Sequence, residues 1–231
     1  MDTTRRSWLA GALGAGAASA IAGTQAPPAP PGAPHPIGDE GVGPGEDLMR
    51  EHGVLNRILL IYDEAIRRLE AHQPLPAEPV RASADIIRRF LEGYHEKLEE
   101  EHLFPRFERA GRLTDLVGVL RRQHEAGRRL TAAILEGAAP TASEAARAGT
   151  ATPLRLFVRM YRPHEAREDT VLFPALRELV TKDEYERLGD AFESRETQVL
   201  GERGFERIVD EVAGIERSLG IADLDSFTPP A

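Results

Sequence analysis

Two segments of this chain repeat the same arrangement of histidine and glutamate. His95 and Glu99 stand in HEKLEEEHLFP, His164 and Glu168 stand in HEAREDTVLFP, and both segments close with Leu-Phe-Pro. A histidine and a glutamate four residues apart lie on one face of a helix, about one turn apart, so both side chains can reach the same centre. Imidazole and carboxylate groups are metal ligands, and the repeat therefore indicates two halves of one metal site.

Two further histidines, His52 and His124, fall at interior positions of the apolar pattern. A single histidine on an apolar face is most often a core residue that hydrogen-bonds to a polar partner. Four interior histidines, one per predicted helix, are instead typical of a site that facing helices build inside a bundle. Two carboxylates can bridge two cations while the histidines take the terminal positions. The spacing thus predicts a dinuclear metal centre.

The chain contains no cysteine, which restricts any metal to nitrogen and oxygen ligands. Disulfides, zinc fingers, iron–sulfur clusters and thiol catalysis are excluded together. Histidine and carboxylate without sulfur suit iron or manganese better than copper(I) or calcium. The formal net charge of −9 gives no electrostatic footprint for nucleic acid, so we expect no nucleic-acid partner.

The elements that must position these residues are helices. Apolar residues recur every three or four positions from Glu46 onward, and strand alternation is absent. The predicted helices span residues 46–69, 79–109, 114–134 and 154–171, with further helix over 181–219 that is broken near 201–204. Four amphipathic helices with mostly short connections imply an all-α fold, an antiparallel four-helix bundle with additional C-terminal helices.

The N-terminal part of the chain has a different character. Arg5 and Arg6 precede a short Ala/Gly-rich apolar stretch that ends in small residues, which is typical of a twin-arginine export signal. We therefore divide the chain into a signal peptide (1–26), a Pro/Gly-rich linker (27–44), a metal-binding bundle (45–180) and a C-terminal helical extension (181–231). The expected location is periplasmic or secreted, with no stable membrane insertion once the signal is removed.

The order His, His-x-x-x-Glu, His, His-x-x-x-Glu resembles hemerythrin and the hemerythrin-like HHE cation-binding domains, over about residues 47–180. The resemblance implies two iron ions joined by an oxo or hydroxo bridge, with manganese possible in their place. It implies that His52 and His95 bind one ion, that His124 and His164 bind the other, and that Glu99 bridges them. A second carboxylate bridge would come from the fourth helix.

Two positions depart from the oxygen-carrying members of that family. A fifth histidine, one turn after the third-helix histidine, is here Arg128, which cannot ligate a metal. The second bridge in those carriers corresponds to Asp169, but Glu168 competes for the role, since it lies only about 40° round the helix from His164. We prefer Glu168 and keep Asp169 as the alternative, because Pro163 can distort this turn.

The loss of one ligand changes the expected chemistry. More coordination positions are open to small molecules, which is a mark of catalytic metal sites. We expect peroxide breakdown or peroxide-dependent oxidation, as in the similar subgroup with two glutamate bridges. The alternatives are a protein that binds or senses oxygen, nitric oxide or iron without turnover, and a helical bundle without metal. The residues Glu96, Glu100, Glu101 and His102 are predicted to form an exposed acidic strip, with an auxiliary metal ligand as the alternative role of His102.

Overall fold

A computed structural model describes residues 42–229, and all structural statements below concern these residues. The predicted export signal and all but the last residues of the predicted linker lie outside them. Helix α1 spans Pro44–Glu70. Proline suits a first helical turn because that turn needs no backbone donor there. Glu46 and Asp47 in the first turn and Arg67 and Arg68 in the last turn match the sign of the helix dipole.

The second helix of the bundle, α2, is continuous from residue 77 to 110 but widens twice into a π helix. Its α-helical stretches are Ala77–Ile86, Glu96–Leu98 and Phe104–Ala110. Between them lie π-helical turns over Ile87–His95 and Glu99–Leu103. The second π turn ends directly before Phe104-Pro105. Since proline lacks a backbone donor and its ring clashes with the carbonyl four residues earlier, a wider turn at this point accommodates it.

Of the remaining bundle helices, only one repeats this design in the described chain. Helix α3 spans Thr114–Gly137, and a short helix, α4, spans Glu144–Gly149 between the third and fourth predicted helices. Helix α5 combines Ala151–Arg167, a π turn over Glu168–Leu172 and Phe173–Leu179, again with a proline just after the wide turn. The helix continues through Pro163 without a break. In both repeated motifs the π turn ends at the leucine of Leu-Phe-Pro, and α-helix resumes at the phenylalanine.

The four long helices close a ring in which α1 packs on α5, α5 on α3, α3 on α2 and α2 on α1. Their facing sides form one apolar core, whose largest fully buried side chains include Tyr62, Phe90, Phe107, Phe157 and Phe173. Helix α6 (Lys182–Leu200) and helix α7 (Gly204–Leu219) pack against α1 and α2, and a 3₁₀ turn follows at Leu224–Phe227. The predicted all-α bundle with additional C-terminal helices is confirmed.

None of the described helices is both long enough and apolar enough to cross a membrane. This agrees with the apolar stripe on each bundle helix, which faces the shared core and leaves charged side chains on the outer face.

Candidate metal centre

Four bundle helices bring six predicted ligands together in the core. The ligand atoms of His52, His95 and Glu99 all lie within 4.8 Å of one another, and the same holds for those of a second group, which consists of His124, His164 and Glu168. All six residues are buried, and both glutamates are 0% exposed. The two repeated motifs supply the histidine-glutamate pairs on α2 and α5, while α1 and α3 each add one histidine.

Each glutamate reaches one histidine of both groups. Glu168 lies between His52 and His164, at 3.4 Å and 3.1 Å from their Nε2 atoms. Glu99 lies between His95 and His124, with its Oε2 3.8 Å and 3.4 Å from their Nε2 atoms. The two Nε2 atoms of His52 and His95 are 3.1 Å apart. Both carboxylates are therefore placed to bridge two cations, each of which would also have two imidazoles.

The outward-facing nitrogen of every central histidine has a partner. Nδ1 of His95 lies 2.8 Å from Glu51 and Nδ1 of His164 lies 2.9 Å from Gln123. The other two Nδ1 contacts are His52 to Asp169 at 2.7 Å and His124 to Glu100 at 3.1 Å. Donation from Nδ1–H fixes the ring orientation and leaves the Nε2 lone pair facing the centre. Such outer partners also raise the basicity of a ligand histidine.

These contacts follow an approximate twofold pattern that exchanges α1 with α3 and α2 with α5. Under this exchange the Glu51–His95 contact corresponds to Gln123–His164. The Glu100–His124 contact likewise corresponds to Asp169–His52. The pattern is broken in charge at one place, because Glu51 is a carboxylate whereas Gln123 is a neutral amide. The motif that is repeated in the sequence thus corresponds to an arrangement of side chains that is repeated in the structure.

The central carboxylates fit bound cations. Neither oxygen of Glu99 or Glu168 has a hydrogen-bond partner, and Nε2 of His124 has none either, among the described residues. Two buried carboxylates without partners would carry a large desolvation penalty, which a pair of cations offsets. Nitrogen and oxygen donors without sulfur match iron or manganese.

Without a metal, the charges of the centre are balanced by protons. Burial lowers the pKa of His52, but the hydrogen bond to Asp169 and the nearby charge of Glu168 outweigh it and raise that pKa to about 10. Burial and repulsion by Glu168 hold the pKa of Glu99 well above its usual value. Burial opposes ionisation of Glu168 as well, yet the neighbouring His164 and His52 keep its pKa well below the usual range. A metal must therefore displace protons to bind.

The alternative bridge, Asp169, does not lie among the central ligand atoms. Its side chain is 33% exposed and contacts the outer nitrogen of His52. Because the helix remains regular up to Arg167, Glu168 keeps the face of His164, and the wide turn begins only at Glu168.

Arg128 occupies the position of the fifth histidine and contacts carboxylates instead. Its guanidinium donates to Glu96 at 2.7 Å and to Glu100 at 2.6 Å. Glu96 is 1% exposed and Glu100 is half-buried, so the prediction of an exposed acidic strip was wrong for both, whereas Glu101 is exposed. A π helix turns less per residue than an α-helix, so two consecutive residues can both face inward. In this way Glu96 faces inward together with His95, and Glu100 faces inward together with Glu99.

Tyr161 is held against the centre by three contacts. Its ring lies edge-on to that of His164 at 5.3 Å between centroids, and it stacks on Phe157 at 4.3 Å. Its hydroxyl donates to Glu96 at 2.7 Å. A Cβ atom at position 127 would overlap the phenol, so Gly127 on α3 provides the space that Tyr161 occupies.

Sequence reasoning missed Glu51 and Gln123 and misplaced Glu100. A signal for them exists, since Glu51 and Gln123 directly precede His52 and His124, and each contacts the histidine of the next long helix. That each of these residues contacts the histidine of a neighbouring helix, however, depends on how the helices pack against one another, which the sequence pattern does not show.

Comparison with known proteins agrees with this arrangement. The family described as "Hemerythrin HHE cation binding domain" matches residues 44–176. Proteins named as uncharacterized from Mycobacterium bovis and from two strains of Mycobacterium tuberculosis are 54% identical to the chain over 188 residues, which is 80% of this chain and 73% of each relative. No solved structure gives a significant match.

Proposed function

This chain belongs to the hemerythrin HHE cation-binding family, and we propose that it is a non-haem di-iron protein that reacts with hydrogen peroxide. The observation that carries the proposal is the position of two buried carboxylates, each between histidines of two different groups. An iron pair at this place would supply the redox chemistry for peroxide breakdown or for a peroxide-dependent oxidation.

In this proposal the six central residues are the ligands. His52 and His95 would hold one ion, His124 and His164 would hold the other, and Glu99 and Glu168 would be shared between them. The protein would then offer each ion two imidazole nitrogens and two carboxylate oxygens. Iron commonly accepts more donors than that, so positions remain for a small molecule.

The surrounding residues prepare the site for a small substrate. The apolar core keeps bulk water away from the ligands, and the four Nδ1 contacts hold each imidazole in one orientation. Arg128 adds no ligand, because Glu96 and Glu100 hold its guanidinium. Because no fifth histidine fills a coordination position, this arrangement favours the binding and reaction of a small molecule at the metal pair.

Metal content and peroxide turnover of the purified full chain test the proposal together. We expect about two irons per chain and catalytic loss of hydrogen peroxide. His95→Ala or His164→Ala removes a terminal ligand and should lower both the iron content and the turnover. His72→Asn is a matched control, because His72 is exposed and lies far along the chain from the ligands in a left-handed conformation that asparagine tolerates.

The outcomes separate the alternatives. Full iron content in both alanine variants would contradict the ligand assignment. Two irons with an optical spectrum that changes reversibly with oxygen or nitric oxide, and without peroxide turnover, would show a binding or sensing protein. A metal-free chain after growth with abundant iron would refute the di-iron proposal.

A further inference from the structure

An open groove runs between α3 and the first half of α5, on the outer side of the metal centre. Its volume is about 540 Å³, within the range of small-molecule sites. Apolar side chains of Leu130, Leu156 and Met160 line it, and Leu156 is 50% exposed. Together these side chains form an apolar surface that the body of a ligand can cover.

Every polar side chain of the groove can donate hydrogen bonds, and none carries a negative charge. Arg129 and Arg159 line it, and no acidic side chain does so among the described residues. Neither arginine forms an ion pair with any other residue in the described part of the chain, whereas neighbouring Arg128, Arg155 and Arg162 all do. Two arginines that have no ion pair among residues 42–229 share one groove of a protein with a net charge of −9, and they make a local positive site.

Gln123 joins this groove to the metal centre. It lines the groove, and its Oε1 accepts the hydrogen bond from Nδ1 of His164. Its amide nitrogen makes no hydrogen bond to another described residue and can donate to a ligand.

The twofold pattern of the centre gives an independent contrast. The counterpart of Gln123 is Glu51, which lies in a buried cluster of carboxylates with Asp47 and Glu196. On one side of the centre, an acidic residue, Glu51, thus contacts Nδ1 of His95. On the side of the two arginines, the neutral amide of Gln123 contacts Nδ1 of His164. A carboxylate at position 123 would repel an anion from the groove, whereas an amide attracts one.

We propose that this groove binds a small amphipathic carboxylate, such as a medium-chain fatty acid. The carboxylate accepts hydrogen bonds from Arg129, Arg159 and the amide of Gln123, in the charge-assisted geometry that guanidinium groups favour. The apolar body of the ligand covers Leu156 and its neighbours. Binding needs no metal, so the proposal goes beyond the proposed function and does not depend on it.

Titration calorimetry of the full chain with decanoate tests this proposal, with decanol as the uncharged analogue. We expect saturable binding of one decanoate per chain and binding of decanol at least about tenfold weaker, since the hydrogen bonds to the charged group are lost. No binding of decanoate, or equal binding of both molecules, would overturn the proposal.

Variants locate the site. The double variant Arg129→Gln and Arg159→Gln should bind decanoate about tenfold more weakly or worse. Gln123→Glu should weaken binding as well, while it retains a partner for His164 of the kind that Glu51 gives His95. Arg187→Gln, at an exposed arginine of α6 without an ion pair in the described chain, should leave the affinity unchanged. Unchanged affinity in both groove variants would refute the assignment.

Discussion

Glu168→Gln and Asp169→Asn are neighbouring, nearly isosteric changes that should differ sharply in effect. Glu168 is 0% exposed and faces His52 and His164 at 3.4 Å and 3.1 Å. An amide there carries no charge to offset two cations and directs an NH₂ group at a histidine nitrogen. We therefore expect the iron content to fall from about two to about one per chain or less.

Asp169→Asn changes only an outer contact, from which it removes the charge. The aspartate is one-third exposed and makes a single 2.7 Å hydrogen bond to Nδ1 of His52, which an asparagine oxygen can still accept. Losses of this kind typically weaken metal binding by about 10- to 100-fold, which leaves a tight site occupied. The iron content should stay near two, while the affinity measured by chelator competition falls.

Iron per chain, measured by elemental analysis on both variants purified side by side, decides between the two residues. Circular dichroism of each metal-free variant controls for folding. A greater loss of iron in the asparagine variant would refute the placement of Glu168 as the bridge and favour Asp169.

Other features of the centre lead to further measurable effects. Loading the metal-free protein with Mn²⁺ at pH 7 should release protons, because His52, with a pKa of about 10, is protonated there and burial raises the pKa of Glu99 well above its usual value. Metal affinity should consequently fall as the pH falls, and a pH-stat titration without proton release would contradict this reasoning. Gly127→Ala should displace the ring of Tyr161 and shift the optical spectrum of the iron-loaded protein with little loss of iron, and an unchanged spectrum would count against the contact. Arg128→Gln leaves a buried carboxylate without its cation and should lower the free energy of unfolding by about 2 kcal/mol, discounted because the arginine is partly exposed. Urea unfolding of the metal-free protein measures it, and equal stability would show that the pair contributes nothing.

Periodicity was sufficient to predict the bundle and the inward direction of the histidines. The apolar rhythm around His52 and His124 follows regular α-helix, and both side chains are buried in α1 and α3 as expected. The fold class is confirmed on this basis. The six central residues are brought together by the structure, while their role as ligands stays a prediction.

The pattern failed where the winding of the helix changes. Glu96 and Glu100 read as solvent-facing when every residue is assumed to turn by about 100°. The π turns of α2 reduce that rotation and bring both residues toward the core, where they contact Arg128 and, for Glu100, His124. Partners on other helices, such as Glu51 and Gln123, depend on the angles between helices, which a linear pattern does not contain.

The π turn inside each repeated motif also separates two parts of its helix, and the number of residues in the turn determines which side chains of the second part face the core. His95 precedes the turn over Glu99–Leu103 and Glu99 opens it, while Leu103 closes the turn, Phe104 follows it, and both of these side chains are buried in the core. Deletion of a single residue from this turn would rotate everything after it by about 100°, which would carry Leu103 and Phe104 out of the core while the ligand pair stayed in place. The number of residues between the glutamate and Leu-Phe-Pro is therefore constrained more tightly than their identity, and a one-residue deletion there should be less tolerated than almost any substitution.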